Sequence, residues 1–598
     1  MKFTSGSGEN KNSELKRMFS GKMNEHINIA SWLKQATQRF PYKRAVVFPA
    51  SRDKKNRVLY SQLTFSQLEQ ASDDLASGLE RSGIRKGTRT ILIVPPGIDF
   101  FTLIFAMFKA GAVPIVVDPG MGIDRMLSCF KQGRPNAFIG IEKAHVLRKL
   151  KPGFFKTVKT FITVGKKWFW NGYTLDELGK KSGKPFEMAN TTADETAAVL
   201  FTTGSTGPAK GVVYTHGNFN AQLIQIQNHF DIQDDEIDLP TFPLFALFDP
   251  ALGMTAVIPD MDPTKPAMVN PRRIIEAIDN HGVTNMFASP ALLNRVGRYG
   301  RENNIKLPSL RRVVSAGAPV TPANIEQFSA MLTDDAQIHT PYGATEAVPV
   351  ISIASREILR ETRKLSEQGF GMCIGYPICD TRVDIIKISD DPVHELSEDQ
   401  LIDKNEVGEI IVKAPLVTRH YFQNVEADSL AKIMNRNNEF WHRMGDLGWR
   451  DTKGRIWFCG RKNHRVVMEN ETLFTIPCEA VFNNHEKVFR SALVGVGPQN
   501  MQTPVMCIEP AEKIKDTKAF LQEMREVALS HKLTEDIEQI LIHSAFPVDI
   551  RHNSKIFREK LAAWARKQLR GLNMFRWRSR KDGLKDKTYG RFYSDQGP

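Results

Sequence analysis

The chain has 598 residues, of which 41% are hydrophobic and 25% are charged, and its formal net charge is +14. A chain of this length and composition can bury a large core, and we expect it to form more than one domain. Its six cysteines are too scattered for a disulfide framework, and they include no C-x-x-C pair that would indicate a zinc site. The composition therefore predicts a reduced, cytoplasmic protein.

The N-terminal segment 1–25 is polar and lacks the apolar stretch of a secretory signal. The longest apolar run, Phe100 to Val117, is interrupted by a lysine, a glycine and a proline. It is therefore too short and too broken to span a bilayer. We expect a buried helix followed by a strand.

The first part of the chain alternates between helical and strand patterns. The segment Phe65 to Arg81 places Leu68, Leu75 and Leu79 on one helical stripe. Short apolar runs recur before and after it and are predicted strands: Arg89–Val94, Ala112–Val117, Ala137–Ile141, Thr160–Val164, Ala197–Phe201, Thr284–Ala288 and Arg312–Ser315. Helices between short, continuously apolar strands indicate parallel βαβ units with both sheet faces covered.

From about Gly408 the pattern becomes β-rich, with predicted strands at Glu409–Lys413 and Arg455–Cys459. Further strands near 492–496 and 504–508 and a helix at 514–530 indicate a small α+β unit after Arg461. The predicted fold class is therefore α/β, with a large N-terminal domain of layered βαβ sheets, a β-rich subdomain and a small α+β C-terminal domain. We expect four segments: an N-terminal extension (1–39), a large domain (40–460), a small domain (461–570) and a basic tail (571–598).

The positive charge is concentrated near the C-terminus. Between Arg566 and Arg591, ten lysines and arginines accompany two aspartates, a local net charge of +8. One interpretation is a solvated extension, and the other is contact with an anionic membrane surface or nucleic acid. No recognition motif for nucleic acid accompanies the run, so no specific nucleic-acid partner is predicted.

The stretch Phe201 to Gly211 (FTTGSTGPAKG) lies between two apolar runs and is rich in glycine and hydroxyl side chains. Such a loop lets backbone N–H groups approach phosphate oxygens, while Lys210 adds a positive charge. It differs from the common P-loop, in which Gly-Lys-Ser/Thr leads directly into a helix. Taken alone, the stretch could equally be an ordinary turn.

Further motifs lie downstream: Tyr342-Gly-Ala-Thr-Glu346, Gly445-Asp-Leu-Gly448, Gly460-Arg461 and Lys555. Their order and spacing resemble the adenylate-forming superfamily of acyl-CoA synthetases, luciferases and peptide-synthetase adenylation domains. The resemblance extends from about Phe40 to about Leu569. It implies a large domain and a small mobile domain, with ATP and Mg²⁺ bound at the cleft between them.

The resemblance also implies roles for individual residues. The loop would hold the β- and γ-phosphates, Tyr342 would stack near adenine, Asp446 would bind the ribose hydroxyls, and Lys555 would bridge the substrate carboxylate and the α-phosphate. Glu346 would hold the metal, although outside this context it could be an acid at a helix N-terminus. The catalytic candidates are Lys555, Glu346 and Thr206. The nucleotide-binding candidates are Thr202, Thr203, Gly204, Ser205, Thr206, Gly207, Lys210, Gly317, Ala318, Tyr342, Gly343, Thr345, Asp446, Arg461 and Lys555.

Two regions depart from the pattern of acyl-CoA synthetases. His464 stands where the hinge aspartate is expected, and Glu469-Asn470 replaces a glycine that lets the pantetheine arm pass the backbone. The segment that often carries a gating histidine instead offers Phe242, Phe245 and Phe248. These phenylalanines are either core residues or the wall of a pocket for long acyl chains.

These departures, together with the residues around Lys555 and Glu479, resemble the branch of olefin-pathway β-lactone synthetases. That branch adenylates a 2-alkyl-3-hydroxy fatty acid, whose 3-hydroxyl then displaces AMP to give a β-lactone. The alternatives are a long-chain fatty acyl-CoA or acyl-AMP ligase and a non-catalytic nucleotide-binding protein. His464 and His552 are candidates for the base, although a structural role is open for both. The candidate partners are other enzymes of the same lipid pathway and the inner membrane surface.

Overall fold

The computed structural model describes residues 27–181, 183–202, 209–242, 246–402, 405–435, 439–548 and 556–571. Its strands, in chain order, are β1 Arg44–Arg52, β2 Val58–Thr64, β3 Arg89–Ile93, β4 Val113–Val117, β5 Ala137–Ile141, β6 Thr160–Val164, β7 Tyr173–Thr174, β8 Thr196–Thr202, β9 Lys210–Thr215, β10 Ile237–Pro240, β11 Thr255–Val257, β12 Asn285–Ala288, β13 Arg312–Ser315, β14 Gln337–Ala344, β15 Ala347–Ala354, β16 Met372–Pro377, β17 Arg382–Ile386, β18 Gly408–Lys413, β19 Lys432–Met434, β20 Phe440–Arg450, β21 Ile456–Arg461, β22 Val466–Val467, β23 Thr472–Leu473, β24 Val488–Val496, β25 Thr503–Pro510 and β26 Gln539–Ile542.

The α-helices are α1 Ser31–Arg39, α2 Phe65–Arg81, α3 Ile98–Lys109, α4 Ile123–Gly133, α5 Glu142–Leu150, α6 Leu175–Leu178, α7 His216–His229, α8 Phe248–Ala251, α9 Pro271–His281, α10 Pro290–Glu302, α11 Pro322–Ser329, α12 Ser355–Glu357, α13 Arg363–Glu367, α14 Val425–Ala431, α15 Thr475–Asn483, α16 Thr517–Leu529 and α17 Arg558–Gly571. A π-helical turn, Ile358–Thr362, joins α12 to α13. Among the described residues, no helix combines the length and the apolar character that crossing a membrane requires.

Two sheets with parallel strands form the larger part of the molecule. The first has the order β7-β6-β5-β3-β4-β8-β9, in which every pair is parallel except β8–β9. The second runs parallel from β1 through β11, β10, β12 and β13 to β14. The prediction of parallel βαβ units is correct for both sheets, because short apolar strands need helices on both faces.

The second sheet continues as an antiparallel region. It runs from β14 through β15, β16, β21, β20 and β18 to β17, and β19 pairs with β20. This region corresponds to the β-rich segment expected after Gly408, although its first antiparallel strands begin earlier, at Ala347. Its hairpins carry several of the candidate site residues.

The C-terminal part forms its own small sheet, β24-β25-β26, packed against α15, α16 and α17. Leu493, Met506 and Phe520 belong to a separate hydrophobic cluster on one side of this sheet. A second cluster, which includes Val494 and Leu561, lies against α17. The predicted domain boundary at residue 460 stays a prediction.

The apolar run Phe100–Val117 folds as predicted, into the buried helix α3 followed by β4. Lys109 is fully buried at the end of α3, where its Nζ atom lies 2.6 Å from Asp73 Oδ1 and 3.0 Å from Glu69 Oε2. Both acids lie on α2, so an ion-pair cluster joins two adjacent helices. The lysine that interrupts the apolar pattern is therefore a paired core residue.

Candidate functional site

The hairpin β8–β9 carries the predicted phosphate loop. Strand β8 ends at Thr202 and β9 begins at Lys210, and the two residues face each other in the antiparallel register. Residues 203–208 and the side chain of Thr202 lie outside the described part of the chain. Lys210 Nζ lies 5.0 Å from the ring centroid of Tyr421, so its positive charge is placed at the base of the loop.

Glu346 lies in the turn between β14 and β15, which is formed by Thr345 and Glu346. The interpretation as a helix N-terminal acid is therefore wrong. Gly343 makes this tight hairpin possible, because a Cβ atom there would lie 2.4 Å from the carbonyl oxygen of Ala347. The Thr418 amide and hydroxyl both donate to the Glu346 carbonyl oxygen, at 2.9 and 3.2 Å. These two hydrogen bonds hold the backbone of the turn in place.

The Glu346 side chain faces a group of residues that the sequence analysis did not identify. Tyr421 Oη donates to Glu346 Oε1 at 2.7 Å. Lys432 Nζ lies 5.4 Å from the Tyr421 ring and donates to the Thr418 carbonyl oxygen. Burial lowers the pKa of Lys432 to about 8, while the Glu346 carboxylate opposes this shift. The turn thus combines one carboxylate with two lysines, Lys210 and Lys432.

Asp446, Arg461 and Tyr342 meet in a second cluster. Asp446 in β20 and Arg461 in β21 are direct partners in the antiparallel register. Arg461 Nε lies 3.0 Å from Asp446 Oδ1, and Tyr342 Oη donates to Asp446 Oδ2 at 2.5 Å. Burial raises the pKa of Asp446, and the positive charge of Arg461 opposes this effect.

The Asp446 carboxylate has capacity for a further hydrogen bond. Asp446 is 3% exposed, and its Oδ1 atom accepts no hydrogen bond of normal geometry from the described residues, despite the contact with Arg461. A buried acceptor without a well-directed donor is costly and marks a place where a ligand hydroxyl can bind. The arrangement therefore suits the predicted ribose contact.

Gly317 and Ala318 follow the end of β13, beside the parallel strand that leads to Tyr342. Gly317 has a φ of +92°, a backbone conformation that favours glycine, and it is exposed. The preceding residue, Ala316, lines an adjacent cavity. The segment therefore directly adjoins that cavity.

The residues around Glu346 fit a magnesium ion that arrives with a nucleotide. Among the described residues, no cluster of three or more His, Cys, Asp or Glu side chains could hold a metal ion. Glu346 supplies one half-buried carboxylate beside the predicted phosphate loop. Mg²⁺ commonly takes only one or two protein carboxylates and completes its shell with phosphate oxygens and water. The donor set is therefore sufficient.

A cavity that opens to solvent lies next to the candidate nucleotide residues. Its lining is apolar apart from three polar side chains, and it consists of Ile226, Phe230, Ile232, Asp238, Phe248, Asp249, Leu252, Met254, Asn285, Phe287, Val314, Ala316, Pro341, Val348 and Pro349. Phe248 thus lines the cavity, and both Phe248 and Phe242 pack against the same hydrophobic cluster. Phe245 lies outside the described residues.

The predicted hinge residue His464 lies in a short 3-10 turn after β21. Its Nε2 atom is 3.3 Å from Glu559 Oε1 on α17, so the turn contacts the last described helix. Glu469 and Asn470 are exposed in the turn between β22 and β23. Lys555 and His552 lie outside the described residues, as do most of the basic tail and the start of the N-terminal extension.

Comparison with known proteins decides the family. The model of the family described as AMP-binding enzyme matches residues 33–422. The chain belongs to the AMP-binding enzyme family. This membership confirms the resemblance that the motifs indicated.

Two relatives in this family match almost the whole chain. The olefin beta-lactone synthetase of Xanthomonas campestris pv. campestris is 44% identical over 92% of this chain and 99% of its own length. The olefin beta-lactone synthetase of Stenotrophomonas maltophilia is 43% identical, with the same coverage of both chains.

A solved structure shares the fold of this AMP-binding enzyme. The o-succinylbenzoate coenzyme A synthetase of Bacillus subtilis, in complex with ATP and magnesium ion, has a TM-score of 0.69 and 20% identity. The match covers 89% of this chain and 98% of that one. The predicted α/β fold class is confirmed.

Tyr421 and Lys432 are the site residues that the sequence analysis missed. Tyr421 reaches the site through an isolated antiparallel bridge to Val212 in β9, and Lys432 begins the short strand β19. Neither residue lies in a motif with a spacing typical of phosphate binding. The only sequence signal is a lysine at the start of an apolar segment, which is common in surface strands.

Proposed function

We propose that this AMP-binding enzyme uses ATP to adenylate a 2-alkyl-3-hydroxy fatty acid and closes the product to a β-lactone, with release of AMP and pyrophosphate. The observation that carries the proposal is the 44% identity to an olefin beta-lactone synthetase over 99% of that protein's length. The candidate site, with its carboxylates, lysines and adjoining apolar cavity, has the groups that this reaction needs.

The nucleotide would bind between the two clusters around Asp446 and Glu346. In this proposal, Asp446 accepts hydrogen bonds from the ribose hydroxyls, and Tyr342 lies against adenine. Glu346 would hold Mg²⁺, which supplies positive charge to the phosphates when it is bound. Support comes from the buried, incompletely satisfied Asp446 Oδ1 atom and from the single carboxylate in the β14–β15 turn.

The first step requires a carboxylate to attack the α-phosphorus of a polyanion. One carboxylate oxygen forms a bond to phosphorus while the bond to pyrophosphate breaks. Lysines that compensate the developing negative charge are therefore expected to lower the barrier. Lys210 and Lys432 are placed on the Tyr421 ring beside Glu346, and Lys555 is the proposed third cation, supplied by the segment 461–570.

The second step needs no additional substrate. The 3-hydroxyl oxygen attacks the carbonyl carbon of the acyl adenylate, the bond to AMP breaks, and the hydroxyl proton is released. An internal nucleophile has an effective molarity of roughly 10⁵–10⁸ M, so ring closure can outcompete a second substrate. Glu469 and Asn470, in place of the usual glycine, would obstruct the pantetheine arm once the segment 461–570 moves toward the site.

The test is to incubate the purified protein with ATP, Mg²⁺ and a racemic 2-alkyl-3-hydroxy acid, with and without coenzyme A. We expect a β-lactone in both reactions, at the same rate, identified by mass spectrometry. Consumption of coenzyme A with formation of an acyl thioester would instead identify a long-chain acyl-CoA ligase. If no acid leads to pyrophosphate release, the result would support the alternative of a non-catalytic nucleotide-binding protein.

A further inference from the structure

Two buried carboxyl groups lie in the wall of the cavity next to the candidate nucleotide residues, which we name the acyl cavity because the proposed function would place the acyl chain there. Asp238, in β10, is 2% exposed, and Asp249, in α8, is 3% exposed. Within the described part of the chain, neither forms a salt bridge with a lysine, arginine or histidine. Burying a carboxyl group in an apolar wall is costly unless hydrogen bonds or charges compensate it, so the pair calls for an explanation.

The two carboxyl groups line the same cavity and lie close enough to influence each other's protonation. Burial raises the pKa of both carboxyl groups, and the negative charge of Asp238 raises that of Asp249 further. Two neighbouring carboxyl groups in an apolar environment are not both ionised, because the two like charges repel each other strongly. The pair is therefore a partly protonated unit rather than two independent carboxylates.

Asp238 is also held in place by a chain of contacts that begins at Asn285 in β12. Asn285 Nδ2 donates to Asp238 Oδ1, and Asn285 Oδ1 accepts from Arg312 Nη1 at 3.3 Å. Arg312 in turn forms an ion pair with the buried Glu236 at 2.9 Å. This chain of contacts fixes the orientation of Asp238 beside Asp249.

One carboxyl oxygen of Asp249 is buried without a hydrogen-bond donor among the described amide, amine and hydroxyl groups. No amide, amine or hydroxyl group of the described residues donates a hydrogen bond to its Oδ2 atom. An unsatisfied acceptor in a buried site destabilises the protein, and a ligand that donates a hydrogen bond there removes the cost. Asp249 also lines the cavity, so a ligand in the cavity would lie beside this carboxyl group.

We propose that Asp249, supported by Asp238, binds the 3-hydroxyl group of the substrate in the acyl cavity. The proposal rests on the proposed function, because it assigns a residue to the hydroxyl that distinguishes this substrate from a plain fatty acid. An alcohol suits the site because it donates a hydrogen bond without bringing a second charge into an apolar wall.

The position of the cavity agrees with this assignment. It is also lined by Ala316 and Pro341, which directly precede the candidate nucleotide residues Gly317 and Tyr342. A substrate carboxyl group at the nucleotide site would therefore have its first carbons within the cavity. A site built to hydrogen-bond a hydroxyl group discriminates against the analogue that lacks it, because the acceptor is then left unsatisfied.

The test compares the first-turnover rate of pyrophosphate release for a 2-alkyl-3-hydroxy acid and for the same 2-alkyl acid without the hydroxyl group. For the wild-type protein we expect this rate to be about 5- to 100-fold higher for the hydroxy acid, the factor that corresponds to leaving one buried acceptor unsatisfied. In Asp249→Leu the preference should fall to within about threefold of unity. Asp249→Asn, which keeps an acceptor oxygen, should retain part of it.

The apolar neighbour Leu252 provides a matched control. Leu252→Met changes the same wall without changing its polarity and should alter the rates for both acids by the same factor. Equal losses for both acids in Asp249→Leu and Asp249→Asn would assign Asp249 a structural role and overturn the proposal. Equal wild-type rates for the two acids would also overturn it. Pyrophosphate release precedes the formation of a lactone or a thioester, so an acyl thioester product would contradict the proposed function and leave this test unaffected.

Discussion

The substitution Asp446→Asn removes the carboxylate that we expect to bind the ribose of ATP. In the structure, this side chain accepts a hydrogen bond from Tyr342 Oη at 2.5 Å and lies 3.0 Å from Arg461 Nε. The amide keeps the shape of the carboxylate but offers only one acceptor oxygen and carries no charge. The single amide oxygen can accept the hydrogen bond from Tyr342 Oη. The amide N–H donors then point toward Arg461 and the ribose.

The size of the effect follows from these contacts. A hydrogen bond to a charged group contributes about 1.5–3 kcal/mol, and losing one corresponds to about a 10- to 150-fold weaker affinity. We therefore expect the Kd for ATP to rise by that factor. The Arg461 side chain is 42% exposed and can turn toward water, so the free energy of unfolding should change by less than about 1 kcal/mol.

Calorimetric titration with ATP, 2′-deoxy-ATP and 3′-deoxy-ATP measures the effect directly. The wild-type protein should bind the deoxy analogues more weakly than ATP, and Asp446→Asn should bind all three with similar Kd values. The control Tyr342→Phe removes the donor to Asp446 but keeps the carboxylate, so it should still discriminate between ATP and the analogues. A folded Asp446→Asn protein with wild-type affinity for ATP would refute the assignment.

Two further predictions concern metal use and pH. Glu346→Gln should weaken the use of Mg²⁺-ATP more than the binding of metal-free ATP, because the amide keeps the contact with Tyr421 but loses the charge. The matched control is Glu302→Gln, at an exposed position. An unchanged Mg²⁺ requirement for pyrophosphate release in Glu346→Gln would place the metal elsewhere. Burial lowers the pKa of His216 from 6.5 to about 4. Between these two pH values the unfolded chain therefore binds more protons than the folded chain. As the pH falls through this range, His216 lowers the free energy of unfolding by up to about 1.4 kcal/mol per pH unit. In chemical denaturation, His216→Asn should lack this contribution, so its stability should approach that of the wild type from pH 7 to pH 4; a constant difference would contradict the shift.

Much of the candidate site could be proposed from the sequence because its residues lie in compact motifs. Tyr342, Glu346, Asp446 and Arg461 belong to short segments whose chemistry is legible in the sequence, and the structure brings them together in two pairs of adjacent strands. Several strands, such as Ala137–Ile141, also have the predicted bounds because continuous apolar runs of this length have few other stable arrangements.

The other site residues are not part of any local pattern. Tyr421 and Lys432 reach Glu346 only through long-range contacts, among them the bridge to Val212. Asp238 and Asp249 resemble ordinary polar residues near the ends of a strand and a helix, and only the folded structure shows that both are buried together. Burial and pairing depend on tertiary packing, which the spacing of residues in one sequence does not encode.

The most direct test of the central claim is a count of products per enzyme in one reaction that contains ATP, Mg²⁺, coenzyme A and a 2-alkyl-3-hydroxy acid. We expect repeated turnover with one AMP and one pyrophosphate released per β-lactone, and no acyl-CoA. With the acid that lacks the 3-hydroxyl group, the reaction should stop after about one turnover, because no positioned nucleophile displaces AMP. Formation of acyl-CoA at a rate comparable to AMP release would contradict the account and identify the protein as an acyl-CoA ligase.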